Sequence, residues 1–109
     1  MAGRLSGKVA IVSGGATGMG GAASTLFAAE GAHVAIIDRN LAEAEARVSE
    51  IIAAGGKAMA VAADVSKADA VADAVRQVEH AFGPVTVLFN HAGTIVIKPF
   101  LDTTEEEWD

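Results

Sequence analysis

Apolar and polar positions alternate along this chain in a pattern that changes period from strand to helix and back. Val9-Ala10-Ile11-Val12 is a short β-branched run ending at Ser13-Gly14-Gly15, and it predicts a buried strand. Met19 to Glu30 is rich in Ala, carries Leu26 and Phe27, and stops at Gly31, as a helix would. Val34-Ala35-Ile36-Ile37 predicts a second strand that closes at Asp38. Leu41, Ala44, Val48, Ile51 and Ile52 then recur at helical spacing, with Asn40 placed to cap the helix and Gly55-Gly56 to stop it. Ala58 to Ala63 is a third apolar run, ending at Asp64. Ser66 and Asp69 have capping-box spacing ahead of the stripe Val71, Val75, Val78 and Phe82, which Gly83-Pro84 terminates. Val85-Thr86-Val87-Leu88-Phe89 predicts a fourth strand, apolar on nearly every residue and therefore covered on both faces. Thr94 to Leu101, with Pro99, reads as a loop. Thr103 and Thr104 followed by Glu105, Glu106 and Glu107 read as a helix start, with carboxylates at the positive end of the dipole.

Strands alternating with helices of this length predict βαβ units, a parallel sheet and helices on both of its faces. No linker, internal repeat or low-complexity tract interrupts the 109 residues, which fit one small domain.

The turn Ser13-Gly14-Gly15-Ala16-Thr17-Gly18-Met19-Gly20 joins the first strand to the first helix. A strand turning sharply into a helix favours glycine at Gly14. A pyrophosphate approaching backbone amides without meeting a Cβ favours it at Gly18, and close helix–sheet packing favours it at Gly20. A tight turn without a ligand also uses glycine. The preceding strand and following helix supply the context that a dinucleotide motif requires. No Gly-Lys-Ser/Thr follows, which argues against a P-loop ATPase or kinase.

Asp38 falls at the end of the second strand, about 18 residues past Gly20. A dinucleotide fold needs an acid about 20 residues on, to accept hydrogen bonds from the adenosine ribose. A carboxylate there also repels the extra phosphate of NADP, so NAD is the preferred cofactor. Arg39 complicates this preference, because a guanidinium holds a phosphate or stacks on adenine.

Charge and composition narrow the field further. The net charge of −6 argues against a nucleic-acid backbone or an anionic membrane surface as partner. The absence of Cys removes disulfides and thiolate sites and suits a reducing cytoplasm. His33, His80 and His91 fall on separate elements without ligand spacing, so no metal site is expected. Ser13 lacks a His–Asp partner set in a nucleophile elbow.

Together these residues resemble the classical short-chain dehydrogenase/reductase family. Ser13-Gly14-x-x-x-Gly18-x-Gly20 is similar to its T-G-x-x-x-G-x-G fingerprint, Asp64-Val65 to its Asp-Val pair, and Asn90-His91-Ala92-Gly93 to its N-N-A-G motif. Thr103 to Asp109 resembles the start of its long interface helix. The resemblance implies a Rossmann-type doubly wound parallel sheet with strand order 3-2-1-4 and three αβα layers. It implies hydride transfer between NAD and an alcohol or carbonyl substrate, and a homo-oligomer in the intact parent. Gly14, Thr17, Gly18 and Met19 would line the pyrophosphate turn, Met19 through its amide, with Gly20 allowing close packing. Asp38, with Arg39 beside it, would meet the adenosine ribose; Asp64 and Val65 the adenine; Asn90, Ala92 and Gly93 the cofactor floor. His91 stands where the motif has its second Asn, a change that puts little in doubt if the motif acts through its backbone.

The family's catalytic Asn, Ser and Y-x-x-x-K pair have no counterpart here, and the chain contains no Tyr. Residues 1–109 therefore read as an NAD(P)-binding half-domain, inactive alone, with no catalytic residue of its own. A fourth strand without a neighbour would be an apolar edge prone to aggregation. Two rival readings stand beside this one: a non-catalytic nucleotide-binding module, and a structural fragment that uses the open edge and binds no nucleotide.

Overall fold

Burial on both faces of one strand organises the molecule. The computed structural model describes residues 5–14, 18–64, 67–89 and 95–97. Every residue of strand β1 (Val9–Ser13) is buried. Around it lie α1 (Gly18–Ala29), β2 (His33–Asp38), α2 (Leu41–Ala53), β3 (Lys57–Ala62), α3 (Ala68–Phe82), β4 (Val87–Phe89) and β5 (Ile95–Ile97). The sheet order is β3-β2-β1-β4-β5. β1 runs parallel to β2 on one side and to β4 on the other, with Val12 opposite both Ile36 and Phe89.

The period-2 alternation of a strand sorts side chains between two cores. Ala10, Val12, Val34, Ile36, Val87 and Phe89 pack with Ala23 and Ala28 of α1 and Ala44 and Ile51 of α2. Val9, Ile11, Ala35, Ile37 and Leu88 pack with Val71, Ala74, Val75 and Val78 of α3. Helices therefore cover both faces, as expected. Ile11, Val12, Val34, Ile36 and Ile37 are completely enclosed; each such side chain contributes roughly 1.5–3 kcal/mol through burial. Ser24 is the polar exception on the α1 side. It is fully buried, and its hydroxyl donates to the Gly20 carbonyl at 2.9 Å, which removes the penalty for an unpaired group.

Three expectations need correction. Ile95–Ile97 is not loop: it forms β5 and pairs antiparallel with β4, Leu88 opposite Val96. The exposed apolar edge foreseen for the fourth strand is thus paired. An antiparallel neighbour needs only a short connection, whereas a parallel one needs a crossover. The capping box of Ser66 and Asp69 does not start α3. Lys67 occupies the N-cap position without a side-chain cap, which puts Asp69 at the second helical position, one short of where the box acts; Ser66 lies outside the described residues. The fourth strand is shorter than its apolar run. The Val85 amide donates to Glu79 Oε2 at 3.1 Å rather than to a strand, and ladder pairing begins at Val87. The predicted helix start after Thr103 lies outside the described residues, and among them no helix is long and apolar enough to cross a membrane.

Gly31 closes the α1–β2 turn at φ +97°, and a Cβ there would lie 2.8 Å from Ser6 Oγ and 3.1 Å from Ser6 Cα. Gly31→Ala combines left-handed strain with a backbone clash. It is expected to lower stability by more than about 1 kcal/mol in urea unfolding; an unchanged midpoint would show that the turn relaxes freely.

Candidate functional site

Because β1, β2, β3 and β4 run parallel, their carboxyl ends share one edge of the sheet. Hydrogen bonds tie these exits together. The Gly14 amide donates to the Ile37 carbonyl at 2.8 Å, and the Ala63 amide to the Asp38 carbonyl at 3.2 Å. The chain leaves β1 toward β2 and later returns past it to β4, so the strand order reverses between β1 and β4. Open α/β sheets form their ligand crevice at such a reversal.

The glycine-rich turn stands at this edge. Gly14 has φ +67° and Gly18 φ +60°, conformations that favour glycine. A Cβ built on Gly18 would meet nothing within 4 Å, so the space before it is open. α1 begins at Gly18 and has no acidic residue in its first turn. Its positive end and orphan N–H groups are therefore not answered by a carboxylate of that turn. Gly20 and Gly21 are buried against the body of the protein, as close packing requires, whereas Met19 is 71% exposed.

Asp38 ends β2 and is half-buried. Its Oδ1 accepts from the Asn40 amide at 3.0 Å. Asn40 Oδ1 accepts from the Glu43 amide at 3.1 Å, and Asn40 Nδ2 donates to Glu43 Oε1 at 2.9 Å. The Oδ1 bond caps α2, and the Nδ2 bond ties the Glu43 carboxylate to the same side chain. Among the described residues, Asp38 Oδ2 has no hydrogen-bond partner. Arg39 is exposed on the same turn. Asp64 is half-buried two residues past the end of β3, and its carbonyl accepts from the Lys67 amide at 3.1 Å.

The fold thus brings together Gly14, Gly18, Met19, Gly20, Asp38, Arg39 and Asp64 at the carboxyl edge. Thr17, Val65, Asn90, Ala92 and Gly93, with His91, lie outside the described residues. His33 packs edge-on against Phe82 and His80 is exposed at the end of α3; neither is near this edge. No group of three His, Asp or Glu able to hold a metal occurs among the described residues. Glu43 was not singled out from sequence, although Asn40-x-x-Glu43 has the spacing of a capping box. A second concavity, lined by Thr25, Ala28, Arg47, Glu50, Ile51 and Gly56, opens between α1 and α2 toward the opposite edge, where Arg47 pairs with Glu50 at 3.2 Å.

Residues 8–109 match the family model of the short chain dehydrogenases. The chain is 44% identical over its whole length to a 2,5-dichloro-2,5-cyclohexadiene-1,4-diol dehydrogenase of Sphingobium indicum, and covers 44% of that protein. Among solved structures it resembles a citronellol catabolism dehydrogenase of Pseudomonas aeruginosa, with TM-score 0.80, 29% identity, and coverage of 98% of this chain and 44% of the other. It also resembles a metagenomic short-chain oxidoreductase in complex with NADP, with TM-score 0.73, 39% identity, and coverage of 77% and 38%. The chain spans less than half the length of the curated relatives it matches.

Asn40→Ala is expected to cost about 1 kcal/mol of stability through loss of the α2 cap, and Asn40→Ser to recover most of it. Chemical denaturation of both variants checks this; equal losses would mean that the side-chain oxygen does not cap.

Proposed function

Since this chain belongs to the short-chain dehydrogenase family, which implies a nicotinamide dinucleotide cofactor, we propose that it supplies the NAD-binding half of an oxidoreductase acting on an alcohol or carbonyl substrate. The observation that carries the proposal is the open space before Gly18 at the start of an acid-free helix, on the same edge as the Asp38 carboxylate. A pyrophosphate fits where a Cβ has no neighbour and amides have no carboxylate. A ribose fits where a carboxylate oxygen is still unsatisfied.

When bound, the dinucleotide supplies the hydride chemistry that side chains cannot. The chain's residues bind and orient. Gly14, Thr17, Gly18 and the Met19 amide hold the pyrophosphate at the positive end of α1, with Gly20 letting the helix sit close. Asp38 Oδ2 accepts from the ribose hydroxyls, Arg39 lies beside the adenine, and Asp64 and Val65 hold its ring. Asn90, Ala92 and Gly93 form the floor. With no Tyr in its 109 residues, the chain does not itself supply the tyrosine acid/base that the family resemblance implies, and the proposal has it inactive alone.

NAD is favoured over NADP because a 2′-phosphate would approach the Asp38 carboxylate, although one similar oxidoreductase is described in complex with NADP. A cytoplasmic location, resting on the absence of Cys, and a homo-oligomer, resting on the family, complete the proposal.

Titration of the protein carrying this chain with NADH and NADPH tests the reading. Asp38→Ala is expected to weaken NADH binding roughly 10- to 100-fold, as loss of a charged hydrogen-bond acceptor does. Gly18→Ala should abolish binding by filling the open space, while left-handed strain costs only about 1–2 kcal/mol of stability. Failure to bind either dinucleotide would overturn the reading.

A further inference from the structure

We infer that Glu43 is a second carboxylate selecting against a 2′-phosphorylated dinucleotide, positioned at the ribose end of the site by Asn40; this rests on the dinucleotide reading above. Three observations lead there. First, Asn40 Nδ2 holds Glu43 Oε1 at 2.9 Å, which fixes the carboxylate of an otherwise exposed and rotamer-rich side chain. Second, Asn40 is the link between the two acids, because its own amide donates to Asp38 Oδ1 at 3.0 Å. Asp38 and Glu43 therefore sit on one hydrogen-bonded turn, two carboxylates beside the guanidinium of Arg39. Third, the Glu43 amide, which a phosphate at the start of α2 would seek, is already taken by Asn40 Oδ1 at 3.1 Å.

The consequence is a division of chemistry within one site. A ribose hydroxyl finds an acceptor in Asp38 Oδ2. A phosphate on the same ribose finds two negative charges, a helix start whose Glu43 amide is already bonded, and the exposed Arg39. Arg39 alone would suggest tolerance of NADP; the cap turns the local balance the other way. Glu43 is a positioning and discriminating residue and not a catalytic one.

The test compares NADH and NADPH dissociation constants for the protein carrying this chain and its Glu43→Gln variant. A glutamine side-chain oxygen can still accept from Asn40 Nδ2 and the Glu43 amide keeps its cap, so the variant keeps the helix start and removes the charge. The NADH:NADPH affinity ratio is expected to fall about fivefold, the size of a charge effect at an exposed helix terminus, and the shift should shrink in high salt. Glu45→Gln makes the same change in net charge two residues on, on the opposite side of the helix, and should leave the ratio unchanged. If Glu43→Gln leaves the ratio unchanged, or Glu45→Gln shifts it equally, the role of Glu43 is overturned while the dinucleotide reading stands on wild-type NADH binding. If the wild type binds neither dinucleotide, both fall.

Discussion

The structure depends on one constraint: β1 must be buried on both faces while pairing on both edges. A strand enclosed in this way cannot hold polar side chains in its interior, and Val9, Ala10, Ile11 and Val12 have none. It must also take parallel partners in a register that puts their side chains into the same two cores. Once Val12 lies opposite both Ile36 and Phe89, the exits of β1, β2 and β4 are forced to one edge. The backbone bonds from Gly14 to Ile37 and from Ala63 to Asp38 then bring the turns after β1, β2 and β3 together. The candidate site follows from core packing, since no side chain of the site is needed to assemble it.

At that edge the first two helices use their N-termini in opposite ways. α1 opens on glycine, has no acid in its first turn and faces open space at Gly18. α2 has its Glu43 amide capped by Asn40, whose side chain also holds the Glu43 carboxylate and whose amide holds Asp38. Helix dipoles are alike in kind, so the difference lies in what satisfies their first N–H groups. An unanswered terminus attracts an anion. A self-capped terminus flanked by carboxylates repels one and accepts donors. Placed side by side on neighbouring strands, the two suit a molecule that carries a diphosphate at one point and hydroxyls at another.

Some of this is legible in the sequence alone. The β-branched runs and the glycine positions carried β1, α1, β2 and α2, and the strand order 3-2-1-4 holds across them. Gly14 and Asp38 stand out by their place at strand ends, and Gly18 by its place at the start of the first helix. The misses have physical causes. Ile95–Ile97 is too short a run for periodicity to separate strand from loop, and its pairing depends on β4 being alongside. Ser66 looked like a cap because capping spacing is local. The cap position falls on Lys67, which makes no side-chain cap bond. Glu43 carries no signal by its own type, because its hydrogen bonds depend on Asn40.

The sequence by itself determined which segments are buried, which turns need glycine and which acids stand at strand ends, because these follow from side-chain chemistry and local backbone preference. Only the tertiary structure decided that β5 covers the edge of β4, that Gly18 faces open space, and that Asp38, Asn40 and Glu43 form one hydrogen-bonded unit. Those are facts of distance and direction between groups. Distance becomes defined only when burying β1 fixes every strand's register against its neighbour.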